Sequence, residues 1–160
     1  MQPKRILVPL DGSPVAEFAL EEVRAVTELT DSRVILLHVV PTIEDVIYGG
    51  GEVFTIDQQW ERRKAYALDY LKSISERPEW QKVKHEVVVE TGNPAEVILD
   101  FAQKQIIDRI VMTTHGRTGI SRWRWTLGSV ARKVLETADR TVVLVRAEPR
   151  RSTSSKIEAS

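Results

Sequence analysis

The chain has no cysteine. Disulfides, thiolate-held metals and a cysteine nucleophile are therefore excluded at the outset. It has no excess of charge either: 23 basic residues stand against 23 acidic ones. General nucleic-acid binders are usually strongly basic, so this balance argues against a nucleic-acid partner. No apolar run approaches the roughly 20 residues that span a bilayer, which argues against a membrane partner. The start, "MQPKRILVPLDG", interrupts its apolar stretch early with charge and proline and does not read as a secretion signal. A cytoplasmic protein is the expectation. Histidine is scarce, with His38, His85 and His115 scattered along the chain. Without cysteine beside them they argue against a metal centre, and His38, at the end of an apolar run, reads as a core histidine. Both common phosphate-loop patterns, G-x-x-x-x-G-K-[ST] and G-x-G-x-x-G, are missing. Ser121 stands in "GISRW" rather than G-x-S-x-G, so a serine hydrolase elbow is missing too.

What is present is the material of one globular domain, 160 residues of which 42% are hydrophobic. Five short apolar runs punctuate it: "ILVPL" from Ile6, "VILLHVV" from Val34, "VVV" from Val87, "RIVM" from Arg109 and "VVLV" from Val142. They are continuous rather than alternating, as in strands buried on both faces of a parallel sheet. Helical stripes lie between them. Val15, Ala19, Val23 and Val26 make the first, and Trp60, Ala67, Leu71 and Ile74 the second. The third opens with Asn93 as N-cap, Pro94 at the first helical position and Glu96 closing a capping box. Leu127, Val130, Ala131, Val134, Leu135 and Ala138 make the fourth. Strand and helix thus alternate, which predicts an α/β fold: an open parallel sheet with helices on both faces. Residues 1–147 form that domain. The glycine-rich stretch "PTIEDVIYGGGEVFTID" reads as a loop, and the polar tail 148–160 as disordered.

In such sheets ligands sit beyond the carboxyl ends of the strands, where strand order reverses. The unusual loops follow the first and fourth strands: "PLDGSP" and "THGRTGISRWRWTLGSV". Gly116 and Gly119 leave the backbone open to an anion. Gly128 and Ser129 stand at the start of the fourth helix, where unpaired N–H groups and the helix dipole favour phosphate. Asp11, across the crevice, suits a ribose hydroxyl, a base amino group or a metal held by phosphates. Turn chemistry is the competing explanation, with Asp11-Gly12-Ser13-Pro14 as a helix cap.

"ILVPLDGSP", "LLHVV", "TGNPAEVI", "THGRTGISR", "LGSVARKVL" and "VVLVR", in this order, resemble the universal stress protein family from about Lys4 to Arg146. The resemblance implies a Rossmann-like five-stranded sheet of order 3-2-1-4-5 and a homodimer paired through the last strand. In one subgroup it also implies an ATP site, while other members act as regulators without a nucleotide. The subgroup's pattern is G-x-x-G, nine residues, then G-[ST]. Gly116 matches its second glycine and Gly128-Ser129 its final pair; Thr113 replaces the first glycine, and eleven residues separate Gly116 from Gly128. By the same matching, Pro9, Leu10, Asp11 and Val39 border adenine and ribose, and Met112, Thr113, His115 and Gly116 form the opposite wall. Gly128, Ser129, Val130 and Ala131 meet the phosphates. The ligand implied is ATP or another adenine nucleotide, with Mg²⁺ as the ion its phosphates would carry. Arg117 and Arg122 lie outside the motif but have the charge to reach a phosphate. No placed general base distinguishes itself, so little or no hydrolysis is expected, and the protein is not read as an enzyme. An unknown regulatory protein partner is implied; a nucleotide-free interaction module is the alternative. Trp123 and Trp125 alternate with Arg122 and Arg124, which in an extended segment puts both rings on one side. They are read as a lid on the crevice, a subunit contact or plain packing.

Overall fold

The computed structural model describes residues 4–42, 56–115 and 127–147. The elements in chain order are β1 (Lys4–Pro9), α1 (Phe18–Leu29), β2 (Ser32–Val40), α2 (Ile56–Ser75), a 3₁₀ turn (Pro78–Trp80), β3 (His85–Thr91), α3 (Pro94–Lys104), β4 (Arg109–Thr113), α4 (Ser129–Thr137) and β5 (Thr141–Val145). All strand pairs are parallel, in the order β3-β2-β1-β4-β5. The chain therefore builds outward from β1 through β2 to β3, then returns to β1's other side for β4 and β5. Strand order reverses between β1 and β4.

The apolar runs are continuous because each strand feeds two cores in alternation. Ile6 and Val8 of β1, Val34 and Leu36 of β2 and Val111 of β4 face Ala19, Leu20 and Val23 of α1 and Leu71 and Ile74 of α2. Leu7, Ile35, Leu37, Ile110 and Met112 face Ala95, Ile98 and Ala102 of α3 and Ala131 and Val134 of α4. Many of these side chains are 0% exposed, and each fully buried Ile, Leu or Val is worth roughly 1.5–3 kcal/mol. Trp80 closes one end of the first core at 2% exposure, its ring edge-on to His85 with 5.6 Å between centroids.

Two helix expectations are corrected. Val15 does not open α1, which starts at Phe18 after a turn over residues 14–17. The Ser13 carbonyl and hydroxyl both accept from the Ala16 N–H, at 3.1 and 3.2 Å, and hold that turn in place of a first helical turn. Leu127 precedes α4, and Leu135 is 46% exposed, because this short helix buries only the face carrying Ala131 and Val134. The capping box of α3 forms on one side: Asn93 Oδ1 accepts from the Glu96 N–H at 3.3 Å. Of the glycine-rich stretch 41–57 read as a loop, residues 43–55 lie outside the described residues, as does the tail 148–160. Ile56 and Asp57 already belong to α2, which corrects the loop's end. Among the described residues no helix is long and apolar enough to cross a membrane.

Candidate functional site

The reversal between β1 and β4 opens a fork at the carboxyl ends of the strands, and both unusual loops leave from it. On the β1 side, Leu10 extends the pairing by one bond, its N–H reaching the Leu37 carbonyl at 2.8 Å. The chain then turns at Gly12, whose φ of +84° is a left-handed conformation that L side chains rarely adopt. The turn brings Ser13 back onto Asp11. Asp11 Oδ1 accepts from the Ser13 N–H at 2.9 Å and the Ser13 hydroxyl at 2.6 Å. Asp11 is thus not the cap of α1, whose N-cap is Glu17 without a side-chain hydrogen bond. It caps its own turn, and it borders the cleft as well. Turn chemistry and ligand wall are here the same residues.

On the β4 side the strand ends in a knot of short bonds. The Thr114 N–H donates to the Val145 carbonyl at 3.0 Å, and the Thr114 carbonyl accepts from the Gly128 N–H at 2.8 Å. Thr113, 5% exposed, donates its hydroxyl to the His115 carbonyl at 2.6 Å. The Thr114 hydroxyl and His115 Nδ1 are 3.1 Å apart. The Gly128 N–H is therefore committed, which corrects its expected role as an open donor. The donors that the helix geometry leaves open are one step on, at Ser129, Val130 and Ala131. The first α-helical bond runs from the Arg132 N–H to the Gly128 carbonyl at 2.9 Å. The first turn of α4 carries no acidic residue and no side-chain cap, so its positive dipole end meets the cleft uncompensated by its own sequence.

The cleft measures about 220 Å³. Pro9, Leu10, Asp11, Val39, Met112, Thr113, His115, Gly128, Ser129, Val130 and Ala131 all border it, so the fold brings eleven of the twelve expected residues to one place. The twelfth, Gly116, lies outside the described residues, as do Arg117, Gly119, Arg122, Trp123 and Trp125. Ala16, Leu37, His38, Pro41, Pro94 and Ile98 complete the wall and were not expected there. Pro41 directly follows β2, so the rule that strand carboxyl ends face ligands would have found it. Pro94 and Ile98 had no such signal, because only the packing of α3 beside α4 brings them to the fork. His38 is a core histidine as expected, 7% exposed, yet it also reaches the cleft floor. Its ring sits edge-on to Tyr70 at 5.9 Å. Burial pushes the Tyr70 hydroxyl well above its ordinary range, and the nearby Glu17 carboxylate adds to the shift.

A larger groove of about 430 Å³ lies between α1 and the 3₁₀ turn, bordered by Glu17, Arg77 and Trp80. Its central ion pair, Arg77 Nη1 to Glu17 Oε2 at 2.8 Å, joins the start of α1 to the end of α2. The smaller cleft is the better candidate despite its size. It lies at the strand carboxyl ends, is mostly apolar, and collects a few convergent polar groups. Asp11 is the only carboxylate bordering it among the described residues, and no group there has the three or more ligands to hold a metal ion.

Comparison with known proteins agrees with the fold and its reversal point. The universal stress protein family matches residues 3–146. The universal stress protein MJ0531 of Methanocaldococcus jannaschii is 33% identical over 144 residues, covering 89% of this chain and 82% of the relative. The solved structure of MJ0577, a universal stress protein of the same organism, superposes with a TM-score of 0.77 at 28% identity, covering 93% and 99% of the two chains. A universal stress protein family member from Arabidopsis thaliana, solved with AMP bound, shares the fold with a TM-score of 0.62 at 20% identity over 96% and 97%.

Proposed function

The chain belongs to the universal stress protein family, and from that premise we propose that it is a regulatory protein that binds an adenine nucleotide at the β1–β4 fork. The observation that carries this reading is the convergence at one cleft of Asp11, the open amino end of α4, and an apolar wall that includes Leu10, Val39 and Met112. A flat base suits the apolar wall, and Asp11 suits a ribose hydroxyl. The phosphates suit the N–H groups of Ser129, Val130 and Ala131. The AMP-bound relative supports the choice of adenine nucleotide. ATP is the expected ligand within that class, with Mg²⁺ held by its phosphates rather than by the protein, since the cleft offers one carboxylate among the described residues. That carboxylate is bonded by Ser13 into its turn, which suits binding rather than proton abstraction, so little or no hydrolysis is expected. The protein works as a cytoplasmic homodimer and passes its state to a regulatory protein partner.

The dimer reading rests on β5. Thr141–Val145 is apolar apart from its first residue and pairs on one side with β4, while β3, the other edge, carries Glu86 and Glu90. An apolar edge strand without charges is one that natural proteins pair or cover. Sedimentation should show a dimer at micromolar concentration, and Val143→Lys should shift it to monomer; a wild-type monomer removes the dimer from the reading.

Native mass spectrometry of the purified protein, followed by calorimetry with AMP, ATP and ATP with Mg²⁺, tests the nucleotide. Co-purifying or titrated adenine nucleotide is the expected result. No binding of any of the three would favour the nucleotide-free interaction module, which Thr113, a side chain at the subgroup's glycine position, supports.

A further inference from the structure

β4 ends at Thr113; Thr114 and His115 follow it directly, and the hydrogen bonds of the three converge on His115. Thr113 donates its hydroxyl to the His115 carbonyl at 2.6 Å, and the Thr114 hydroxyl lies 3.1 Å from His115 Nδ1. The Thr114 backbone is anchored on both sides, to Val145 of β5 and to Gly128 at the start of α4. His115 is therefore held through its carbonyl and through one ring nitrogen, by neighbours that are themselves fixed. The other nitrogen, Nε2, is buried and has no hydrogen-bond partner among the described residues. An enclosed polar atom in that condition is costly, and a ligand group that bonds to it removes the cost. His115 borders the same cleft as Gly128 and Ser129.

We infer that Thr113 is a positioning residue, whose hydroxyl bond to the His115 carbonyl aims the imidazole so that Nε2–H donates to the phosphate end of a bound nucleotide. The inference rests on the nucleotide reading above and adds to it a part for Thr113, which acts only through His115. The tautomer follows from the partners. A phosphate oxygen accepts and does not donate, so Nε2 carries the proton; Nδ1 then accepts from the Thr114 hydroxyl. Thr113 spends its own hydroxyl on a backbone carbonyl, so that hydroxyl braces the site and is not itself offered to the ligand. Valine has nearly the same shape and lacks only the hydroxyl, which separates the brace from the bulk.

The test uses the full chain with Thr113→Val, Thr113→Ser and Thr113→Gly, each titrated with adenosine, AMP and ATP. Thr113→Val should weaken AMP and ATP about five- to tenfold, part of the worth of the charge-assisted bond from Nε2 to phosphate, and adenosine far less. Thr113→Ser should restore wild-type affinities, and Thr113→Gly should lose phosphate affinity as Thr113→Val does. Nitrogen NMR of the imidazoles reads the brace without any ligand. The chain has three histidines, so His115→Gln assigns the signal. The Nε2–H tautomer is expected in wild type and Thr113→Ser, and tautomer averaging in Thr113→Val. An Nδ1–H tautomer in wild type overturns the inference, as does equal weakening of adenosine and AMP in Thr113→Val. Tighter AMP binding by Thr113→Gly overturns it too, since Thr113 would then be an obstruction. If wild type binds none of the three ligands, the nucleotide reading falls and takes the phosphate contact with it. The NMR comparison then decides by itself whether Thr113 sets the ring.

Discussion

At the amino ends of β1 and β4 this protein ties backbone groups together across the strands, although Arg5 Nε and Arg109 Nε stay buried without a partner among the described residues; at the carboxyl ends it turns polar groups toward a cleft. Arg5 and Asp108 show the first arrangement. The Arg5 N–H donates to Asp108 Oδ2 at 2.7 Å, and the Asp108 N–H returns a bond to the Arg5 carbonyl at 2.9 Å. Arg140 adds a third strap, its Nη1 reaching the Ile107 carbonyl at 2.7 Å. The other end presents the open donors of α4, the Asp11 turn and the ring of His115. A closed hydrogen-bond set stabilises and recognises nothing. An open one carries the cost of incomplete pairing and is completed by a ligand. Stability and binding should therefore respond separately to substitutions at the two ends.

The largest separation is expected at the open end. Gly128 has φ −59° and ψ 154°, a conformation any residue adopts, so its backbone does not demand glycine. Gly128→Val should leave the fold intact and crowd the approach to α4. Loss of two charge-assisted hydrogen bonds of about 1.5 kcal/mol each predicts weakening of AMP on the order of a hundredfold. Calorimetry beside a urea melt checks both halves; a stability loss as large as the affinity loss breaks the comparison. Asp108→Ala, at the closed end, should do the reverse. It removes a charged acceptor from a backbone N–H and should cost about 2 kcal/mol of stability with AMP affinity unchanged. A shifted affinity at constant buffer and salt would show that the ends are coupled.

The smallest effect sharpens the picture of the closed end. Ile106, in the turn between α3 and β4, has φ +50° and is 75% exposed. A β-branched residue in the left-handed region is strained, by about 1–2 kcal/mol, and asparagine tolerates that region better. Ile106→Asn should raise stability by about 0.5–1 kcal/mol, seen as a higher urea midpoint with the same slope. An unchanged midpoint would mean that the turn relaxes around isoleucine at no cost.

Much of the fold was legible in the chain because its signals are local. Each strand is a run of Val, Ile and Leu, and α3 announces itself by Asn93, Pro94 and Glu96. The start of α1 was misread at Val15 because Ser13 holds a turn there, a bond that periodicity does not show. The cleft was legible where a rule connects position to function, at strand ends and at the amino end of α4. It was not legible at Ile98, which reaches the cleft through helix packing, or at His38, whose apolar surroundings read as core.

The sequence by itself determined that the chain makes a two-faced parallel α/β sheet, because burial on both faces leaves continuous apolar runs and amphipathic helices whatever the strand order. It also determined which loops depart from ordinary turn chemistry. Only the tertiary structure decided which polar groups are satisfied and which remain open. The Asp108 carboxylate meets a backbone N–H 103 residues away, and the Gly128 N–H, which looked open at a helix start, is taken by Thr114. Hydrogen-bond partners separated by that much chain are set by how the strands and helices pack, and a one-dimensional pattern does not record the distance between them.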